Sequence, residues 1–243
     1  MEKAARELGE EADARRFHAE YERVKEAVNS RMWDEEAGCY SNLRFDGTLS
    51  PVQTPDCFLP IAAKIADGER TKRLLSLLTD ERKFWGEYPA PSVARDHPAF
   101  PMQKYWRGSI WPPMVLWTYY ALREGASEDV RWEFAERVGK MLAREWEEHG
   151  FTPENYSAIT GRCSGATHYN WGVLMAIPLL CETVEVEGGR ITFGNPHAPL
   201  GSAVENIPID GHLYSVFVTE GGTSVTRDGI PLAEGRGRVT VLR

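Results

Sequence analysis

The sequence predicts a mainly α protein in which half-polar outer helices alternate with buried inner ones, followed by a small antiparallel β appendage. Three observations predict it. Apolar residues recur at helical spacing over two long segments whose opposite faces are charged. Between the amphipathic segments lie shorter ones that are apolar on nearly every side, as a helix is when neighbours cover it all round. After Glu182 the texture changes to short β-branched and aromatic runs divided by Gly-Gly and Asp-Gly pairs, which are hairpin turns.

Residues 1 to 8 read as the tail of a helix that Gly9 separates from the next. From Glu11 to Met32, Phe17, Tyr21, Val24, Val28 and Met32 line one face of an outer helix. Turn-forming residues fill 33 to 53. Thr54 is then expected to cap a short inner helix with Pro55 at its first position; it runs through Phe58-Leu59-Pro60-Ile61 and stops near Gly68. A brief outer helix over 69 to 79 carries Leu74, Leu75, Leu77 and Leu78, and residues 80 to 108 form a long loop. Ser109 is expected to cap the next inner helix, with Pro112 and Pro113 in its first turn; Ile110 to Leu122 is apolar, hence buried all round, and Gly125 ends it.

Ser127 starts an outer helix that runs to His149, with Val130, Phe134, Val138, Met141 and Leu142 on one face and Gly150 as its stop. Glu145, Glu147 and Glu148 are assigned to its solvated side. A second long loop, 150 to 166, leads into a last inner helix over 167 to 181 that must accommodate Pro178. The chain thus divides into a helical domain, 1–183, and a β appendage, 184–243, with a hairpin at 184–193 and strands at 212–219, 223–227 and 237–242. None of the eight tryptophans falls in the appendage, so it is not a tryptophan-based sugar-binding module.

The loops fall into two classes. Those leaving inner helices, near Gly68 and Gly125, are short, whereas those entering them are long. Long loops in a compact domain are usually functional. All of them open at the N-terminal ends of inner helices and so should share one rim.

Charge and composition narrow the function. A formal charge of −8 and scattered Lys and Arg argue against nucleic acid or an anionic membrane as partner. No apolar run reaches the roughly 18 residues that span a bilayer. The charged start Met1-Glu2-Lys3-Ala4-Ala5-Arg6-Glu7 is no signal peptide, which points to the cytoplasm. Four cysteines without C-x-x-C spacing and six dispersed histidines indicate neither a metal site, a cofactor nor a disulfide; buried free thiols are expected.

Two segments concentrate chemistry: Tyr105-Trp106-Arg107-Gly108-Ser109-Ile110-Trp111-Pro112-Pro113 and Pro153-Glu154-Asn155-Tyr156-Ser157-Ala158-Ile159-Thr160-Gly161. A carboxylate and an arginine among flat aromatic rings suit a sugar, which has apolar C–H faces and a hydroxyl rim. With Trp33-Asp34-Glu35-Glu36, Phe58-Leu59-Pro60, Pro91-Ser92-Val93-Ala94, His97-Pro98-Ala99-Phe100 and Trp171-Gly172, these segments stand in one characteristic order. In that order the chain resembles the C-terminal half of (α/α)₆-barrel glycoside hydrolases of the trehalase and glycoside hydrolase family 63 type, with mannosylglycerate-hydrolase-like proteins as the nearest branch.

The resemblance implies a partial (α/α)₆ toroid. It also implies inverting hydrolysis of an α-glucosyl or α-mannosyl bond in a small soluble glycoside. Carried over by motif, Glu154 is the general base and Trp106, Arg107, Tyr105, Tyr156 and Trp171 are substrate contacts, Trp106 foremost; Trp111 is core. An inverting enzyme needs one ionised carboxylate and one protonated carboxyl roughly 6.5–9.5 Å away. The family's acid lies in a Gly-Trp-Asp loop of the other half, and no Gly-Trp-Asp occurs here. Asp56, Glu87 and Asp96 are the substitutes within the chain, each with helix capping or loop hydrogen bonding as the alternative. Hence the expected partners, beside the sugar, are a missing N-terminal half or a second copy. The competing reading is a catalytically silent half-barrel that binds sugar or serves assembly.

Overall fold

The computed structural model describes residues 1–243. Seven α-helices follow in order: α1 Glu2–Glu7, α2 Glu11–Arg31, α3 Leu59–Ala62, α4 Gly68–Leu78, α5 Pro112–Gly125, α6 Glu128–His149 and α7 Ile177–Thr183. A 3₁₀ turn over Pro55–Phe58 leads into α3, and a longer one over Asn170–Ala176 leads into α7. The first and last inner helices, α3 and α7, are thus shorter and tighter than their apolar runs suggest. Pro178 sits in the first turn of α7, where its missing N–H costs nothing, so the expected helix over 167–181 is really a 3₁₀ segment feeding a later start.

Capping decides several boundaries. The Asp67 carboxylate accepts from Arg70 N at 2.8 Å to start α4, the Ser127 hydroxyl accepts from Val130 N at 3.4 Å to start α6, and Gly150 in the left-handed region ends α6. Two expected caps do not form. The Thr54 hydroxyl donates to Asp56 rather than accepting from the backbone. Ser109 is fully buried and lies outside α5, whose N-cap position belongs to Trp111. At Thr54 a side chain two residues on claims the hydroxyl, and at Ser109 a backbone bond from Ser92 and full burial claim the residue before the helix does.

The main core gathers α3, α4, α5 and α6 with the loops between them, around Phe58, Leu74, Leu78, Phe84, Ile110, Tyr119, Phe134 and Val138. Cys39 and Cys57 belong to it, whereas Cys163 and Cys181 are only half-buried, which corrects the expectation that all four thiols are enclosed. Nor is α5 covered all round: Trp117 on one side of it is 48% exposed. No helix is long and apolar enough to cross a membrane.

Short hairpins decorate the rim, β1 Trp33–Asp34 with β2 Cys39–Tyr40, and β3 Asn155–Tyr156 with β4 Cys163–Ser164. The C-terminal strands are β5 Val184–Glu187, β6 Arg190–Phe193, β7 Ala203–Ile209, β8 His212–Thr219, β9 Gly222–Arg227, β10 Ile230–Gly235 and β11 Val239–Leu242. They form a four-stranded antiparallel sheet, β10-β9-β8-β7, and a three-stranded one, β11-β6-β5. Their own small core holds Ile191, Phe193, Tyr214, Val216, Val225 and Val239.

Candidate active site

The Trp-Arg-Gly loop is built on a sharp reversal. Gln103 and Tyr105 take left-handed backbone, and at Gly108, with φ of 101°, a Cβ would lie 2.4 Å from the carbonyl oxygen of Phe100. Only glycine permits that approach. The reversal turns Tyr105, Trp106 and Arg107 to solvent and sends Ser109, Ile110 and Trp111 inward. Trp106 lies flat on Trp111, with centroids 4.3 Å apart and planes within 11°. Trp111 is buried, and its Nε1 donates to the Tyr105 carbonyl at 3.2 Å. Trp106 is therefore a backed ring, 46% exposed, with an apolar face open to a flat ligand.

Glu154 stands immediately before β3. Its N–H donates to the Ala166 carbonyl at 2.8 Å, and its Oε2 accepts from Ala166 N at 3.0 Å. Across from it is Gly165, where a Cβ would come within 2.4 Å of Oε2, so the carboxylate fills the space a side chain would take. Oε1 has no partner within the chain. The Trp171 indole donates to the Glu154 carbonyl at 3.2 Å and meets Trp111 edge-on, centroids 6.1 Å apart. An unbroken aromatic path, Trp171 to Trp111 to Trp106, thus joins the backbone of Glu154 to the exposed platform.

Hydrogen bonds lock the long loops together. Ile110 and Tyr156 exchange backbone bonds of 2.7 and 2.9 Å. The Gln103 side chain accepts from Ala158 N at 2.6 Å and from the Ser157 hydroxyl at 3.1 Å. Gln53 in the first loop accepts from Ala94 N at 3.1 Å and from the Lys83 ammonium at 2.9 Å. All three loops therefore meet at one rim.

That rim brings together Tyr105, Trp106, Arg107, Glu154 and Trp171, but not Tyr156. Strand alternation turns Tyr156 to the same side as Ile110, both fully buried, and its hydroxyl has no partner. Burial, and then the neighbouring Glu145 carboxylate, push its pKa up. It is a core residue and not a sugar contact. Among the substitute acids, Asp56 accepts from Asn42 at 2.9 Å and from Thr54, Asp96 is paired with Lys83 at 2.7 Å, and Glu87 is exposed. No group of three His, Cys, Asp or Glu side chains is placed to hold a metal ion.

Three residues were missed. Gln103 ties the two motif loops, Gly165 makes room for the Glu154 carboxylate, and Glu145, assigned to a solvated face, is fully buried. A signal for Glu145 existed. Phe134, Val138, Met141 and Glu145 follow one another at spacings of four, three and four, so Glu145 continues the buried stripe of α6.

The family described as the mannosylglycerate hydrolase MGH1-like glycoside hydrolase domain matches residues 1–172. The chain belongs to this family. Among relatives, the mannosylglycerate hydrolase of Rubrobacter radiotolerans is 29% identical over 184 residues, 73% of this chain and 40% of that protein. The mannosyl-oligosaccharide glucosidase of Saccharomyces cerevisiae is 25% identical over 202 residues, 74% of this chain and 24% of its own. The chain therefore spans less than half the length of these relatives. A glycoside hydrolase family 63 mannosylglycerate hydrolase from Thermus thermophilus, solved with glucose, superposes on 64% of this chain and 38% of its own, at 28% identity and a TM-score of 0.53. A sialidase matches 98% of this chain, β appendage included, and 25% of its own, with a TM-score of 0.77; at 17% identity that is a likeness of fold alone.

Proposed function

We propose that this chain supplies the base-bearing part of an inverting glycoside hydrolase that cleaves an α-glucosyl or α-mannosyl bond in a small soluble glycoside. One observation supports the reading above others: Glu154 keeps a carboxylate oxygen free, and its backbone carbonyl is tied through Trp171 and Trp111 to the ring of Trp106. The apolar face of a pyranose stacks on Trp106, and Arg107 and Tyr105 reach its hydroxyls. Glu154 takes a proton from a water that attacks the anomeric carbon opposite the leaving group. The acid that protonates the leaving oxygen is assigned to a segment beyond these residues, because Asp56 and Asp96 are already engaged and Glu87 is exposed to water rather than enclosed as a proton donor needs. The same segment, or a second copy, would cover the open side of α5. The proposed division into 1–183 and 184–243 is supported by the two separate cores.

Proton NMR of an α-glycoside during hydrolysis tests the mechanism. The first sugar released is the β-anomer; release of the α-anomer would contradict the assignment of Glu154 as a base acting on water. The engagement of Asp56 and Asp96 favours one other reading, a module that binds sugar without cleaving it. Clear release of sugar by the isolated chain excludes that reading; calorimetric binding with no sugar released even when the acid-bearing segment is present selects it.

A further inference from the structure

The hairpin that carries Glu154 rests on a second carboxylate. Glu145, one turn before the end of α6, is fully enclosed, and its Oε1 accepts from Cys163 N at 3.1 Å. Cys163 is the strand partner of Tyr156, and Tyr156 in turn is bonded to Ile110 in the Trp-Arg-Gly segment. The neighbours of Glu145 on α6 hold the same hairpin: the Arg144 guanidinium donates to the Gly161 carbonyl, and Glu148 accepts from Arg162. The tip is thus gripped by three side chains of the same helix.

The other oxygen of Glu145 is buried without a hydrogen-bond partner, as are the Tyr156 hydroxyl and Arg144 Nε. His149 Nε2 and Arg162 Nη1 stand 3.7 Å from the carboxylate, and Arg144 Nε 3.9 Å. A buried acid so incompletely bonded is a poor stabiliser, and an apolar residue of similar size would serve the α6 stripe at least as well. What an apolar residue cannot do is accept from Cys163.

We propose that Glu145 is a positioning residue: by fixing Cys163 it sets the register of the 155–164 hairpin against Ile110, and so the place of the Glu154 carboxylate on the rim. The inference rests on the catalytic reading of Glu154. Two variants of the full chain test it, Glu145→Leu, which removes the acceptor, and Glu145→Gln, which keeps an oxygen for Cys163 N while removing the charge.

Amide exchange by mass spectrometry comes first, because it needs no activity. In Glu145→Leu, residues 154–166 exchange at least about tenfold faster while the β appendage is unchanged, and Glu145→Gln restores protection. Protection of the hairpin at the wild-type level in Glu145→Leu, or a uniform rise along the whole chain, would overturn the proposal. In the hydrolysing protein, Glu145→Leu lowers kcat about 100-fold with KM within about twofold, and Glu145→Gln recovers most of it. A rise in KM at constant kcat would also overturn it. Wild-type turnover by Glu154→Gln would instead defeat the catalytic reading, leaving the exchange result to decide the anchor alone.

Discussion

Glu154 and Glu182 are two carboxylates of the helical layer whose surroundings differ in kind. Glu182, in α7, is buried and saturated: Oε1 accepts from the Tyr119 hydroxyl at 2.8 Å and Arg131 Nε at 2.9 Å, and Oε2 from Arg238 Nη2 at 3.4 Å. Arg238 comes from the appendage, and its guanidinium also pairs with Glu128 in α6, so the cluster fastens the sheets to the helices. Glu154 is half-buried, its carboxylate holds one peptide N–H and keeps an oxygen free, and its backbone carbonyl accepts from the Trp171 indole. A carboxylate with every lone pair engaged holds parts together. One with spare capacity on an aromatic rim is available for chemistry.

Exchanging the two by mutation is the sharpest way to break this contrast. Glu154→Gln should lower turnover by about 10⁴-fold, the upper end for loss of a general base, with a thermal midpoint close to wild type. Glu182→Gln should do the reverse. It leaves Arg131 without a countercharge and Arg238 with Glu128 alone, at a cost of about 3 kcal/mol read from denaturant midpoints, while sugar affinity holds.

Smaller effects sharpen the picture. Trp106→Ala removes the stacking face and should weaken sugar binding about tenfold, or about 1.4 kcal/mol, measured by calorimetry. Asp67→Ala deletes a cap far from the rim and should cost about 1 kcal/mol of stability with no change in turnover. Tyr156→Phe removes a hydroxyl that is buried and unpaired, so stability should stay within about 1 kcal/mol and sugar affinity should not move. That variant also carries a pH signature. The folded state holds Tyr156 above the ordinary tyrosine value of about 10, so the unfolded chain releases the proton first. The contribution of Tyr156 is complete below about pH 10 and is lost as pH rises beyond it, and Tyr156→Phe should flatten that decline.

Much of the fold was legible in the sequence because helical periodicity and loop length are local. The alternation of long and short loops alone places the motif segments on one rim. What stayed hidden depends on partners distant in the chain. The cap at Ser109 is overridden by a bond from Ser92, and Tyr156 faces inward where it bridges Ile110. β7 and β10 were unseen because each contains a proline, Pro208 or Pro231, with an irregular register. Both turn out to be edge strands of their sheet, the positions where a missing N–H is tolerated. In the proposed site, the motif points to Glu154 and its neighbours point to Trp106. Glu145 was misread because charge was weighed above its place in the stripe.

Nuclear Overhauser contacts between a bound α-mannoside or α-glucoside and the indole protons test the arrangement most directly. Sugar C–H protons should contact the Trp106 ring, and those contacts should vanish in Trp106→Ala. Contacts with Trp132 and Trp146, in the groove between α6, α7 and the sheets, would contradict it.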